Sequence, residues 1–159
     1  MSSPRHLHIP SDLWTTVVAE LRSRGRLTRE SGAFLLGHRG SAHDTVVRAA
    51  YYDDIDPSSL RGRYILFDQR RFGELWATCR ASRCDVIADV HTHPHDWVGQ
   101  SATDQAHPMI DQIGHVALIL PHYAREDPSV AGIGVHEYVG SGRWRSFIDG
   151  AQTQRIRIT

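Results

Sequence analysis

The sequence predicts an α/β fold, a single mixed β-sheet flanked by helices. Two stretches repeat apolar residues at helical spacing: Leu13, Trp14, Val17, Val18 and Leu21, then Phe72, Leu75, Trp76 and Cys79. Between and after them lie short apolar runs of strand length, bounded by Gly, Pro and Asp. Their order, helix–strand–strand, strand–helix–strand, helix–strand–strand, fits one mixed α/β domain over residues 1–159. No repeat, low-complexity tract or interdomain linker interrupts it.

Ile9, Pro10 and Ser11 read as a helix entry with Ser11 as cap, and Gly25 stops the run. Glu30 stands just ahead of a buried strand over 33–37. Residues 38–44 read as a turn into a second strand, 45–52, hairpin-paired with the first. The polar stretch 53–62, with Pro57, is expected to be loop and 64–67 a short strand. Asp68 caps the second helix, whose Arg70, Arg71, Arg80 and Arg83 form a solvated face or a dock for an acidic partner. The next strand, 86–93, is stopped by Pro94, which has no N–H to give a ladder. A helix opening at Ser101 must be short, because Pro108 cannot sit in its interior. The unbroken apolar run 115–120 is a buried strand. A loop over 121–130, a strand over 131–139, a turn over 140–143 and a returning strand over 144–148 follow. The polar tail 152–159 forms an edge strand or frays.

At 159 residues the chain is long enough for a real core, with 40% hydrophobic residues and a mean hydropathy of -0.38. Formal net charge is zero, which argues against a general affinity for nucleic acid or an anionic membrane. No run approaches a membrane span, and the first eight residues lack the apolar core of a signal peptide. Cys79 and Cys84 make no disulfide framework, and Cys79 on the apolar stripe reads as a reduced, structural thiol. A cytoplasmic location is the resulting expectation. All 18 basic residues are arginine, which fits GC-rich codon usage or avoidance of a lysine-modifying system.

The chemistry concentrates in residues 89–104. His91 and His93 are two apart on a strand, so both imidazoles face the same side and can converge on one point. With Asp104 they make three protein ligands and leave a fourth tetrahedral position for water, the arrangement of a catalytic zinc. Ser101 and Asp104 also read as a helix N-cap, and the two readings coexist. His-x-His alone is a weak signal among 11 histidines. The full string, His-x-His, seven residues, Ser, two residues, Asp, should arise by chance in roughly one chain in 200. Asp89, on the same strand face as His91, is either an orienting group for an imidazole or a rim carboxylate. Trp97, between the ligands, lines a substrate groove or simply packs. His95 and His107 lie near the string without ligand spacing, and His38, His115, His122 and His136 read as loop or core residues.

That string resembles the signature of the JAMM (MPN+) zinc metalloprotease family, whose best-known members are deubiquitinases. The family also carries an upstream glutamate at the start of a Gly-rich apolar strand, which the segment Glu30 to Gly37 resembles. Ala33 stands where many members have a second glycine, a compact replacement. The resemblance implies a JAB/MPN fold related to the cytidine-deaminase architecture, with one zinc per chain on His91, His93 and Asp104. It implies Glu30 as general base and Ser101 as oxyanion donor. It also implies hydrolysis of the amide bond at the C-terminus of a ubiquitin-like protein, by precursor processing or deconjugation. The loops 53–62 and 121–130 fall where relatives hold the modifier's tail. Both are short, which argues against selection among polyubiquitin linkages. Alternatives are a peptidase acting on a sulfur-carrier or phage-tail protein, and a non-catalytic binding module, against which the intact five-residue set argues. A zinc deaminase is disfavoured, since Cys79 and Cys84 do not form its Pro-Cys-x-x-Cys element.

Overall fold

The computed structural model describes residues 5–159, so the first four of the N-terminal residues read for a signal peptide lie outside the described residues. Its strands are β1 (His6–Ile9), β2 (Gly32–Arg39), β3 (His43–Tyr51), β4 (Asp85–Thr92), β5 (Val116–Leu120), β6 (Gly134–Gly140), β7 (Arg143–Phe147) and β8 (Ile156–Ile158). They form one eight-stranded mixed sheet in the order β7-β6-β5-β4-β2-β3-β1-β8. β4 runs parallel to β5, and β1 runs parallel to both β3 and β8; the other pairs are antiparallel. The helices are α1 (Ser11–Gly25), α2 (Tyr52–Ile55), α3 (Phe72–Ser82) and α4 (Ala102–Ala106).

Alternation along β2 divides the interior. Ala33 and Leu35 pack with Trp14, Val17, Val18 and Leu21 of α1, whereas Phe34 and Leu36 pack with Leu75 and Cys79 of α3. Successive strand side chains point to opposite faces, so a run apolar at every position requires cover on both sides. The α3 side is aromatic: Phe34 meets Tyr52 and Phe67 edge-on, with ring centroids 4.7 and 5.3 Å apart. Such pairs contribute about 0.5–1.5 kcal/mol each beyond their buried area.

Several elements differ from the sequence reading. Ser11 does not cap α1; Pro10 holds the N-cap position, and the Ser11 N–H donates to the Thr159 carbonyl at 2.7 Å. The tail closes that helix end because it forms β8, the edge-strand outcome. β1 has no counterpart in the sequence reading: four residues with two histidines carry little signal, and long-range partners supply its pairing. The 53–62 loop opens with the short helix α2. Residues 64–67 form no strand, only a single bridge from Leu60 to Ile65. Buried Asp56 dominates there, accepting the N–H groups of Ser58 and Asp68, both at 3.0 Å. The coil it fixes still delivers Phe67 to the aromatic core. Asp68 does not cap α3 itself: it caps the 3-10 turn Gln69–Arg71 that leads into it, taking the Arg70 N–H at 2.9 Å, and Arg71 holds the N-cap position of α3.

The chain between β4 and α4 is seated on β6. His136 Nε2 lies 2.9 Å from the Val98 carbonyl, and a Cβ on Gly134 would fall on that same carbonyl oxygen. Gly134→Ala is therefore expected to lower stability by about 1–3 kcal/mol through forced displacement. A urea midpoint equal to the wild type's would show that the loop is not seated there.

Candidate metal centre

The antiparallel register of β2 and β4 pairs Gly32 with His91. One step further out, Ser31 and Thr92 bond twice: the Ser31 N–H donates to Thr92 Oγ1 and the Thr92 N–H to the Ser31 carbonyl, both at 3.0 Å. Ser31 is fully buried and its hydroxyl donates to the Leu21 carbonyl of α1 at 2.7 Å. Glu30, next in line, comes to lie beside the His91–His93 segment and lines the same cleft. Its own N–H donates to the Gly62 carbonyl at 2.9 Å. Gly32 allows the close approach, since a Cβ there would run into the Tyr52 ring and the Val90 carbonyl.

His91 Nε2 and His93 Nε2 stand 3.1 Å apart. Asp104 Oδ2 lies 3.3 Å from His93 Nε2 and 3.6 Å from His91 Nε2. A tetrahedral zinc with bonds of about 2.05 Å has ligand–ligand edges of about 3.3 Å, so the three atoms span one face of such a tetrahedron. They are the group of three among the described residues whose ligand atoms all lie close enough to hold one ion, within 4.8 Å of one another. The donor set fits a divalent metal.

Tautomer and aim are set locally. The Trp97 carbonyl sits 3.0 Å from His93 Nδ1, so a neutral ring carries its proton there and turns the Nε2 lone pair inward. Asp104 occupies the third position of α4. Its carboxylate accepts the Ser101 N–H at 2.9 Å, while Ser101 Oγ accepts the Asp104 N–H at 3.1 Å. The capping box and the ligand geometry are thus the same arrangement, and the Ser101 hydroxyl proton remains free to donate into the cleft.

The cleft of about 420 Å³ is walled by Trp97, Trp144, Tyr64 and Met109, with Arg63 and His107 at its sides. Trp97 is 58% exposed, lines the cleft and packs by stacking on His93. Asp89 is neither an exposed rim carboxylate nor hydrogen-bonded to His91. It is buried, its Oδ2 lying 2.6 Å from Nε2 of buried His115. His136, read as a loop or core residue, is buried and supports the loop between His93 and Asp104. Ser31, Thr92, His115 and His136 carry no motif signal; only the β2–β4, β4–β5 and β5–β6 pairings bring them to the site.

Burial raises the Glu30 carboxyl above its ordinary value, although His91 and His93 pull the other way. Burial alone would lower His91 and raise Asp104, but their mutual contact wins. It holds His91 above its ordinary value and, together with His93, holds Asp104 well below its own.

Residues 10–129 match the family described as prokaryotic homologs of the JAB domain. A protein of Sinorhizobium fredii described as a probable metalloprotease is 24% identical over 155 residues, covering 98% of this chain and 95% of that one. A protein of Desulfitobacterium hafniense with a structure determined in solution superposes with a TM-score of 0.70 at 16% identity, covering 96% of this chain and 92% of that one. That second likeness shows the fold. No helix among the described residues is long and apolar enough to cross a membrane.

The signs of the His91 and Asp104 shifts give a pH test. A raised folded-state pKa stabilises below the unfolded value, 6.5 for histidine, and that stability is lost as pH rises through the folded value. A lowered one stabilises above the unfolded value, 3.8 for aspartate, and is lost as pH falls below it. Metal-free protein is expected to lose more thermal stability from about pH 6 to about pH 8 than His91→Leu does, because the pair dissolves. Zinc needs neutral imidazoles, so its stabilisation should grow over the same interval. Melting curves in chelator and in zinc check both signs.

Proposed function

The chain belongs to the JAB-domain family, and from that premise we propose that it is a zinc-dependent peptidase or isopeptidase. Its substrate is the amide bond at the C-terminus of a ubiquitin-like protein. The observation that carries this reading is the tetrahedral face formed by His91, His93 and Asp104, with the Glu30 carboxyl lining the same cleft. The likeness to a probable metalloprotease over nearly the whole chain supports it.

His91, His93 and Asp104 would hold the ion. A zinc held there would supply a water of lowered pKa, from about 15.7 towards about 7, and a Lewis acid for the scissile carbonyl. Glu30 takes the proton of the attacking water and hands it to the leaving amine. Its raised pKa suits both tasks, since a base that is too weak accepts poorly and one that is too strong donates poorly. The Ser101 hydroxyl, already positioned by its acceptor role towards the Asp104 N–H, donates to the developing oxyanion. Trp97, Trp144 and Tyr64 offer apolar walls to an extended substrate tail.

Purified protein is expected to bind about one zinc per chain and to cut a C-terminally extended ubiquitin-like protein. Glu30→Gln should retain the metal while losing roughly 10²- to 10⁴-fold in rate. Asp104→Ala should lose both metal and activity. Metal analysis paired with cleavage assays on ubiquitin-like, sulfur-carrier and phage-tail substrates checks these outcomes. Undiminished activity in Glu30→Gln removes the general base, and cleavage confined to another substrate class removes the ubiquitin-like assignment.

A further inference from the structure

Arg22, late in α1, takes no part in the chemistry above. Its Nε donates to the Ala124 carbonyl at 2.7 Å, and its Nη2 donates to Asp127 Oδ1 at 2.9 Å. Ala124 ends three consecutive non-glycine residues in the left-handed region: His122, Tyr123 and Ala124 have φ of 53°, 53° and 57°. Residues with a Cβ resist that conformation and adopt it in series only where their surroundings over-determine it.

The turn directs its backbone at the metal segment. The His122 N–H donates to the His95 carbonyl at 2.9 Å, and the Tyr123 N–H donates to the His93 carbonyl at 2.8 Å. From the other side, the His93 N–H donates to the Leu120 carbonyl at 2.8 Å. Both backbone groups of His93 are therefore held by residues 120–123. A right-handed or extended path would swing the two turn N–H groups away from their acceptors.

We infer that Arg22 is a positioning residue for His93. It clasps the left-handed turn, the turn fixes the His93 backbone, and the fixed backbone aims Nε2 at the metal. The metal half of this inference rests on the zinc reading above; the backbone half stands without it.

The test compares Arg22→Met, Arg24→Met and the double variant Arg22→Met/His122→Gly. Arg24, on the same helix, bonds Glu20, Asp53 and Asp54 and has no bond to the turn, so its loss reports general destabilisation. Three quantities are read: zinc affinity by competition with a chromophoric chelator, the visible bands of the cobalt(II)-substituted protein, and exchange of the His122 and Tyr123 amides in metal-free protein. Arg22→Met should weaken zinc about tenfold, shift the cobalt bands and speed exchange at both amides. Adding His122→Gly should restore much of the affinity, because glycine takes the left-handed conformation without steric cost. Arg24→Met should leave all three quantities unchanged. Wild-type zinc affinity and exchange in Arg22→Met, or equal effects from Arg24→Met, would overturn the clasp. If the wild type takes up no zinc, the functional reading falls; faster exchange in Arg22→Met then upholds the clasp, and unchanged exchange overturns it.

Discussion

The pairing of β2 with β4 is the constraint on which the site depends. A glutamate and a histidine pair far apart in the chain share one cleft because Gly32 faces His91 and Ser31 bonds Thr92 across 61 positions. Strand side chains alternate, so a slip of one residue would turn His91 towards α1 and bring Val90 to the cleft. The buried Ser31 hydroxyl adds a third attachment, to α1. Register, core and site geometry are thus fixed by one set of contacts.

Asp104 shows how structure and chemistry share atoms. Its carboxylate completes a helix cap and also faces both inward-turned imidazoles, contacts that hold its pKa low. A cation would take over the histidine contacts while leaving the cap in place, since a carboxylate has lone pairs for both. The short helix α4 therefore needs no rearrangement to present a ligand. Its brevity is enforced by Pro108, two residues past its end, so Asp104 sits on an element that buries none of its own residues. The cap and the Trp144 indole, which donates to the Gln105 carbonyl at 3.2 Å, hold it instead.

What the sequence disclosed followed from local rules. His91 and His93 share a face by strand parity, α4 is short because of a proline, and α1 and α3 show their apolar stripes. The link from Glu30 to His91 was legible only through resemblance, because register is a long-range property with no local signature. The same blindness hid β1 and the β8 pairing, and it made 64–67 look like a strand where a buried aspartate holds a coil. Asp89 was visible as a same-face neighbour of His91. Its partner His115 stands just ahead of the next parallel strand, and nothing short of the fold could have introduced the two.

The strain in the left-handed turn connects these layers. Three residues there each cost roughly 1–2 kcal/mol relative to ordinary backbone, a sizeable fraction of a domain's net stability. A chain under no functional demand would relieve that cost with one glycine, the usual occupant of such positions. Here the three positions carry a histidine, a tyrosine and a buried alanine, and the turn's N–H groups land on the carbonyls flanking Pro94. A glycine would make the conformation easy to enter and equally easy to leave. Residues with side chains make it costly to enter, but once clasped they leave fewer alternatives open. Rigidity beside His93 would favour an ion held there, because an imidazole misplaced by a fraction of an ångström would weaken the grip on it.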